Sequence, residues 1–383
     1  MRVLCTAVPG SGLFLPSVPL SWALRAAGHE VLLLNNGAGA RAACGAGLPV
    51  VDPLPERDLW AEFMAFAASG NAAASAAREG GQPAEQRPRG GFFGWFGEQL
   101  IDGMLPVARA FRPDLVVSTL EQGAGPLLAA ELGVPLVEHG IRIGSGGADE
   151  HSTRFRDLIA EYLEPTRKRL GIGAVPARVT SVDMRPPSLG GVASDTQWLM
   201  RYVPYNESRV VPAWVTQPPA RPRVCVTLGS VLPALGGIGA LRQVVAGLST
   251  MDIEVLLALG DIDLSELGEL PENVRALGWM PLNSLLPTCS AILHHAGSAT
   301  VATPFAYGVP QVALPRFADQ PLNAKLVGDS GAGLVIEEPA EAADAVRRVL
   351  DEPAFAENAA RVRDEIAAQP SPAELVTRLE KLV

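Results

Sequence analysis

The sequence predicts an α/β protein of two doubly wound, Rossmann-like domains, each a parallel sheet covered on both faces, facing each other across a cleft. Three observations carry that expectation. The chain has 383 residues, more than the ~100–200 of a single domain. Residues 2–8 and 223–228 are both β-rich runs that end in loop-forming residues, Pro9-Gly10-Ser11-Gly12 in one case and Gly229-Ser230 in the other. Between the two halves, Pro204, Pro212, Pro218, Pro219 and Pro222 follow one another closely, and ring-locked residues at that density suit an extended linker.

Each β-rich run is followed by a helical pattern and then by a second apolar strand, at residues 30–34 and 253–259. Further strands are expected at 114–118, 135–137, 273–277, 291–294 and 311–314. Short apolar strands alternating with helices make parallel sheets buried on both faces. The expected division is a first domain over 1–214, a linker over about 204–222, a second domain over 215–365, and a final helix within 366–383 that packs back on the first domain. Residues 80–91, rich in Gly, Pro, Gln and Arg, read as a surface loop. Ligands of such sheets sit at the carboxyl ends of the strands, so the loops that follow the strands are where chemistry is sought.

Composition narrows the partners. At 48% apolar and 19% charged residues the chain can fill two cores and does not read as disordered. Its formal net charge is −10, with no block of Lys or Arg, which argues against nucleic acid. Cys5, Cys44, Cys225 and Cys289 show no CxxC spacing and read as small core residues in a reducing, cytoplasmic setting. The apolar run at 3–8 is too short for a signal segment, and no window approaches ~18 uninterrupted apolar residues, so no membrane span is expected. The expected partners are small molecules, with self-association into a homodimer left open.

The most informative segment is His294-His295-Ala296-Gly297-Ser298-Ala299-Thr300, at the end of a strand and the start of a helix. Small residues let a ligand approach the helix N-terminus, whose amides and positive dipole end form an anion site. His295, Ser298 and Thr300 add side-chain donors. The plainer alternative is a tight strand–helix turn around one buried histidine. One helix upstream, Trp279 offers a flat face for a base, and Met280 follows it with a backbone edge that can pair with the base. After the next strand, Asp319 and Gln320 offer the acceptor and the mixed donor–acceptor that sugar hydroxyls need. Trp279 could instead anchor a core, and Asp319 could cap a helix. Together these residues form a base platform, a phosphate cradle and hydroxyl binders, in the order one nucleotide sugar requires.

These motifs, with residues 18–31, 112–117, 202–205 and 227–230, resemble the family-one GT-B glycosyltransferases, above all the actinomycete enzymes that decorate polyketide and enediyne natural products. The resemblance runs over nearly the whole length. It implies the GT-B fold and a metal-independent, inverting transfer of a deoxysugar from a dTDP-sugar to a hydrophobic natural-product acceptor, with no cofactor. It also implies diphosphate contacts from Ser230, His295, Gly297 and Thr300, base stacking on Trp279, sugar contacts from Asp319 and Gln320, and an acceptor loop at Ser11-Gly12-Leu13. A helix N-terminus and a histidine can stabilise the charge that builds on the departing diphosphate. Asp261-Ile262-Asp263 spells a DxD metal motif, but it belongs to an acidic, loop-like stretch and is not read as a metal site.

Two departures from the family stand out. Relatives carry a catalytic His, or less often Asp, at the position aligned with Leu13, and leucine cannot take a proton. Glu121 matches the acid that orients that histidine, so its usual partner is missing. The candidate bases are therefore Glu121, Glu138 and His139, all near strand ends. The alternatives are an aromatic carbon acceptor, giving a C-glycoside, or a silent protein that binds without turnover. The second departure concerns the donor. Plant relatives place a ribose-binding Glu where this chain has Thr303, and Leu282 replaces a polar residue, which suits deoxyribose and hence dTDP. Pro304 is expected to break or kink a helix that starts near Ser298.

A nucleotide-sugar epimerase is the more distant enzyme alternative, since it has no use for an apolar acceptor site. Trp60, Phe63, Phe66, Phe92, Phe93, Trp95 and Phe96 suit a hydrophobic acceptor, or else core packing. A dinucleotide oxidoreductase is disfavoured, because Gly10-Ser11-Gly12 lacks the third glycine of the fingerprint.

Overall fold

The computed structural model describes residues 1–68, 91–147, 149–175, 180–228, 238–260, 262–316 and 318–383. It contains two compact units. The first comprises Met1–Arg185, Gly191–Arg201 and Gln369–Val383; the second comprises Pro186–Gly190 and Tyr202–Ala368.

The first unit is built on a seven-stranded parallel sheet ordered β3-β2-β1-β4-β5-β6-β7. Its strands are β1 (Arg2–Thr6), β2 (Glu30–Leu34), β3 (Val50–Val51), β4 (Leu115–Thr119), β5 (Leu136–His139), β6 (Thr180–Asp183) and β7 (Gln197–Leu199). The strands are Val/Leu-rich runs buried on both sides, as a sheet covered by helices requires. The helices are α1 (Ser11–Phe14), α2 (Val18–Ala26), α3 (Gly37–Gly45), α4 (Leu59–Ala68), α5 (Gly91–Phe111), α6 (Ala124–Leu132) and α7 (Glu150–Arg169). Strand order reverses between β1 and β4, so the turns after these two strands flank the switch point where such sheets bind ligands.

The second unit repeats the plan with six parallel strands ordered β10-β9-β8-β11-β12-β13. These are β8 (Arg223–Thr227), β9 (Glu254–Leu257), β10 (Val274–Ala276), β11 (Ala291–His294), β12 (Gln311–Ala313) and β13 (Gly333–Val335). Its helices are α8 (Gly239–Leu248), α9 (Leu282–Leu285), α10 (Ser298–Tyr307), α11 (Gln320–Asp329), α12 (Ala342–Asp351) and α13 (Pro353–Ala368). Here the switch point lies between β8 and β11.

The division of the chain differs from the expected one. The second unit starts at Tyr202, because the apolar residues set among the prolines pack in that unit's own core: Val215 is buried there, and Val211 and Trp214 pack against it. The chain then returns, and the last helix, α14 (Pro372–Leu379), belongs to the first unit. It packs on α2, and nearby His29 Nε2 lies 3.0 Å from Glu380 Oε1. A Ser371–Glu374 capping box starts this helix. Of the surface loop expected at 80–91, only residue 91 is described, as the first residue of α5.

Two smaller expectations change. Pro304 does not break its helix: α10 runs from Ser298 to Tyr307 and ends on Gly308 in the left-handed region at φ 68°. One missing amide bond near the end of a ten-residue helix is tolerated, and the turn closes with the Val309 amide donating to the Pro304 carbonyl. The four cysteines are free thiols, but Cys44 is exposed rather than part of a core. Among the described residues no helix is long and apolar enough to cross a membrane.

Candidate active site

The switch point of the second unit is held by buried polar residues. His294, the last residue of β11, is fully buried. Its Nδ1 accepts from the Ala296 amide at 3.0 Å, so the proton sits on Nε2, which donates to Gln311 Oε1 at 2.8 Å. Burial and the neighbouring His295 push its pKa down to about 3, so it stays neutral. Ala296 takes a left-handed backbone, φ 65°, a conformation that costs a residue with a Cβ roughly 1–2 kcal/mol. His294 holds its amide, and Asn323 Nδ2 holds its carbonyl at 2.9 Å.

That turn aims the chain into α10. Gly297 is the N-cap, with extended backbone and no side-chain cap. A Cβ at Gly297 would lie 2.5 Å from His295 Nε2, so only glycine leaves room for the imidazole. The first intrahelical bond is Val301 N–H to Gly297 O, so the amides of Ala299 and Thr300 precede it. His295 is buried and its Nδ1 has no partner. Burial lowers its pKa to about 4, against the opposing pull of the Thr227 backbone and the Asp319 carboxylate. His295, Gly297, Ser298, Thr300 and Asp319 are therefore brought together at one end of the sheet. Such a site can receive an anion through helix amides and an imidazole.

The remaining donor-site candidates fare differently. Asp319 is the N-cap of α11 without a capping bond, and its Oδ2 accepts from Asn323 Nδ2 at 3.1 Å. Gln320 is buried, and its Oε1 accepts from the Arg316 amide at 2.8 Å, so this oxygen already shapes the loop. Trp279 is half-buried, and its carbonyl accepts from the Arg209 guanidinium. The Met280 side chain is buried in the core with Leu282, which leaves only its backbone to meet a ligand. Thr303 is fully buried; its hydroxyl donates to the Ala299 carbonyl at 2.7 Å and lies 3.2 Å from the Tyr202 hydroxyl. Ser230 and Asp261 lie outside the described residues. Among the described residues no group of three or more His, Cys, Asp or Glu side chains could hold a metal ion.

In the first unit the loop after β1 becomes the short α1, and the Leu13 amide donates to the Gly10 carbonyl at 2.9 Å. Leu13 is half-buried and packs against the core of the first unit, as do Trp60, Phe63, Phe93 and Trp95. Trp60 lies so close over Gly10 that a Cβ there would be 2.9 Å from the ring. These aromatics mostly meet one another: Trp60–Phe63 centroids are 5.3 Å apart, Trp95–Phe96 5.1 Å, and Phe96 is buried. Phe66 is exposed, and the Phe92 side chain lies outside the described residues. Core packing is thus the main role the structure gives this cluster.

Glu121 follows β4 and is buried. Its Oε1 accepts from Arg142 Nε at 2.6 Å, while Oε2 has no partner. Arg142 in turn lies over the rings of Phe155 and Phe93, at 4.9 and 5.6 Å. The side-chain partner the structure gives Glu121 is therefore a guanidinium. Burial nevertheless outweighs Arg142 and leaves the Glu121 pKa above the ordinary carboxylate value. Gln122, fully buried, ties this turn to the first loop by donating to the Ala7 carbonyl at 3.0 Å.

Glu138 and His139 end β5 on opposite faces, as strand alternation demands. Glu138 is bound bidentately by Arg156, at 2.6 and 2.8 Å, and is buried rather than a solvated loop residue. It lines an apolar cavity of about 460 Å³ walled by Leu127, Leu136, Ile159, Leu163 and Val175. A second, water-sized cavity shares Leu120 with it and is lined by Glu121, Arg142, His151 and Phe155. His139 is on neither wall. Fully buried beside Cys5, Ser17, Ser21 and Thr119, with its pKa lowered by burial to about 4 and both ring nitrogens unpartnered, it is a core imidazole rather than a base facing a substrate.

Family models settle the relationship. The N-terminal domain of the erythromycin biosynthesis protein CIII-like family matches residues 22–229, and its C-terminal domain matches residues 242–382. The chain belongs to the EryCIII-like family. As such it is a glycosyltransferase of the GT-B fold. The elloramycin glycosyltransferase ElmGT of Streptomyces olivaceus is 41% identical, over 99% of this chain and 97% of that protein. Among solved structures, the glycosyltransferase SnogD from Streptomyces nogalater superposes with a TM-score of 0.83 at 37% identity, covering 100% of this chain and 99% of that one. The Streptomyces sp. SF2575 glycosyltransferase SsfS6, complexed with thymidine diphosphate, gives 0.81 at 32% identity with the same coverage.

Sequence reasoning about this EryCIII-like chain missed four residues that hold its candidate site: Arg142, Arg156, Gln122 and Asn323. Each acts through a contact far along the chain, such as Asn323 to Ala296 or Gln122 to Ala7. The one local signal was the Asp319-Gln320-Pro321-Leu322-Asn323 run, in which Asn323 stands one helical turn after Asp319.

Proposed function

We propose that this glycosyltransferase moves a deoxysugar from a dTDP-sugar, held by the second unit, to an apolar polyketide-type aglycone held by the first, with inversion and without a metal ion. The observation that carries the proposal is the uncapped start of α10 beside the buried, neutral His295. Charge arriving on a diphosphate meets fixed amide dipoles and an imidazole whose protonation it favours. That is the stabilisation a leaving group needs, and it requires no cation.

The bound thymidine diphosphate in SsfS6 supports the nucleotide choice. Within this chain, Thr303 and Leu282 are both buried, so neither offers a ribose hydroxyl a partner. The 460 Å³ cavity falls in the ~300–1,000 Å³ range of small-molecule pockets, and its walls are mostly aliphatic. Glu121 takes the acceptor proton: burial keeps it basic, and one of its carboxylate oxygens is uncommitted. Leu13 leaves the first loop without a base, which favours a phenolic acceptor, attacked through its oxygen or its ring carbon. The unpaired cysteines fit a cytoplasmic enzyme.

Calorimetric titration with thymidine and uridine diphosphates in excess EDTA tests the reading. Thymidine diphosphate should bind more tightly, and the binding should persist without divalent metal. Tighter uridine diphosphate, or an absolute Mg²⁺ requirement, would overturn it.

A further inference from the structure

We propose that Asn323 is a positioning residue that ties the diphosphate cradle to the sugar-contacting carboxylate, so that one side chain sets both ends of the donor pocket. The inference rests on the donor-site reading above and extends it to a residue that contacts neither phosphate nor acceptor in that reading.

Asn323 stands on α11 and is fully buried. Its amide nitrogen carries two protons, and the structure gives each an acceptor: the Ala296 carbonyl at 2.9 Å and Asp319 Oδ2 at 3.1 Å. The first bond holds a turn that needs holding. Ala296 is buried in the left-handed region at φ 65°, and its orientation aims Gly297 and the α10 amides. Without Asn323 the Ala296 carbonyl loses its only side-chain donor among the described residues. The second bond orients a carboxylate that makes no capping bond of its own and whose charge reaches His295. Fixing Oδ2 against Asn323 restricts the rotation of the Asp319 carboxylate. The rigid amide therefore couples two elements, the β11–α10 turn and the start of α11, which no backbone bond ties at these atoms. A buried donor with two acceptors is also sensitive to replacement, since removing it leaves both acceptors unpaired.

A double-mutant cycle on the full-length protein tests this, with two readouts: thymidine diphosphate affinity by calorimetry and sugar transfer from a dTDP-sugar. Asn323→Ala should weaken thymidine diphosphate about tenfold, the scale of one buried hydrogen bond, whether or not Asp319 is present. In transfer, Asn323→Ala should cost about a further tenfold in kcat in the wild-type background, and that extra loss should vanish in Asp319→Ala. A role in stability alone gives no such split. Asn323→Ser, which keeps one donor, covers the case in which the alanine variant fails to fold and should fall between the two. Equal kcat losses in both backgrounds, or unchanged thymidine diphosphate affinity in Asn323→Ala, overturn the coupling. If His295→Ala and Asp319→Ala both leave donor binding and transfer intact, the donor-site reading fails instead, and the proposal falls with it.

Discussion

Replacing Arg142 with alanine should be among the most destabilising single changes in the first unit, and the loss should depend on pH. Glu121 is 1% exposed and Arg142 is its one ion-pair partner among the described residues, with Nε 2.6 Å from Oε1. Removing one member of a buried pair leaves an uncompensated charge, which costs about 3–5 kcal/mol. The guanidinium also lies 4.9 Å from the Phe155 ring centre and 5.6 Å from that of Phe93, and such contacts add about 0.5–1 kcal/mol each. Against a total stability of roughly 5–15 kcal/mol, that is a large share. The sign of the pH effect follows from burial. Glu121 already has a folded pKa above its usual value, and losing Arg142 raises it further. An acid of that kind costs stability as pH rises through its folded pKa, because the folded state must give up a proton it holds more tightly than the unfolded chain does. Urea unfolding of Arg142→Ala and wild type at pH 8, 7, 6 and 5 should therefore show a deficit that is largest at pH 8 and shrinks toward pH 5. The double variant Glu121→Gln/Arg142→Met, with no charge left to bury, should recover much of it. A deficit that is the same at every pH, or one below about 1 kcal/mol, would refute the account of Glu121 as a buried, charge-compensated carboxylate.

Two further outcomes concern activity. His295→Ala should reduce donor affinity or turnover by roughly ten- to a thousandfold, the scale for losing a charge-stabilising donor; unchanged values in both would remove the phosphate cradle from α10. Glu121→Gln should cost about 10² to 10⁴ in turnover, as loss of a general base does, with thymidine diphosphate affinity little changed, because Glu121 lies in the first unit and the cradle in the second. Near-full turnover of that variant would show that the acceptor gives up its proton without this carboxylate.

The fold was legible where the chain writes it in long apolar runs. β1, β2, β8 and β11 follow directly from Val/Leu/Ile-rich segments with loop signals behind them. β3 has two residues and β7 three, too short for any periodicity to register. The proline-rich join was misplaced because proline density marks extended backbone without saying which core that backbone packs against. Val215, in the middle of it, is 1% exposed in the second unit. The proposed donor site could be named from the sequence because one strand–helix turn and one loop carry its side chains in order. The surroundings of Glu121, Glu138 and His139 could not. Which face of β5 each residue takes depends on a register set by β4 and β6, and the arginines that pair with the two acids come from other elements.

Leu13 and Glu121 are best understood as one change. A histidine in the first loop would need polar surroundings, yet the half-buried position packs against the apolar core of the first unit, where an imidazole would be partly desolvated and would resist taking a proton. Glu121, without a histidine to orient, is paired instead to Arg142. A guanidinium does not deprotonate in proteins, so it can hold a carboxylate in place but cannot relay a proton. Arg142 is thus a substitute for the histidine's hydrogen bond and not for its chemistry. In the proposed mechanism the proton of an acceptor hydroxyl, or of a phenol, goes to Oε2 of Glu121, which makes no hydrogen bond. Burial holds the Glu121 pKa above the ordinary carboxylate value, and in the proposed mechanism that makes it a stronger base than an exposed carboxylate.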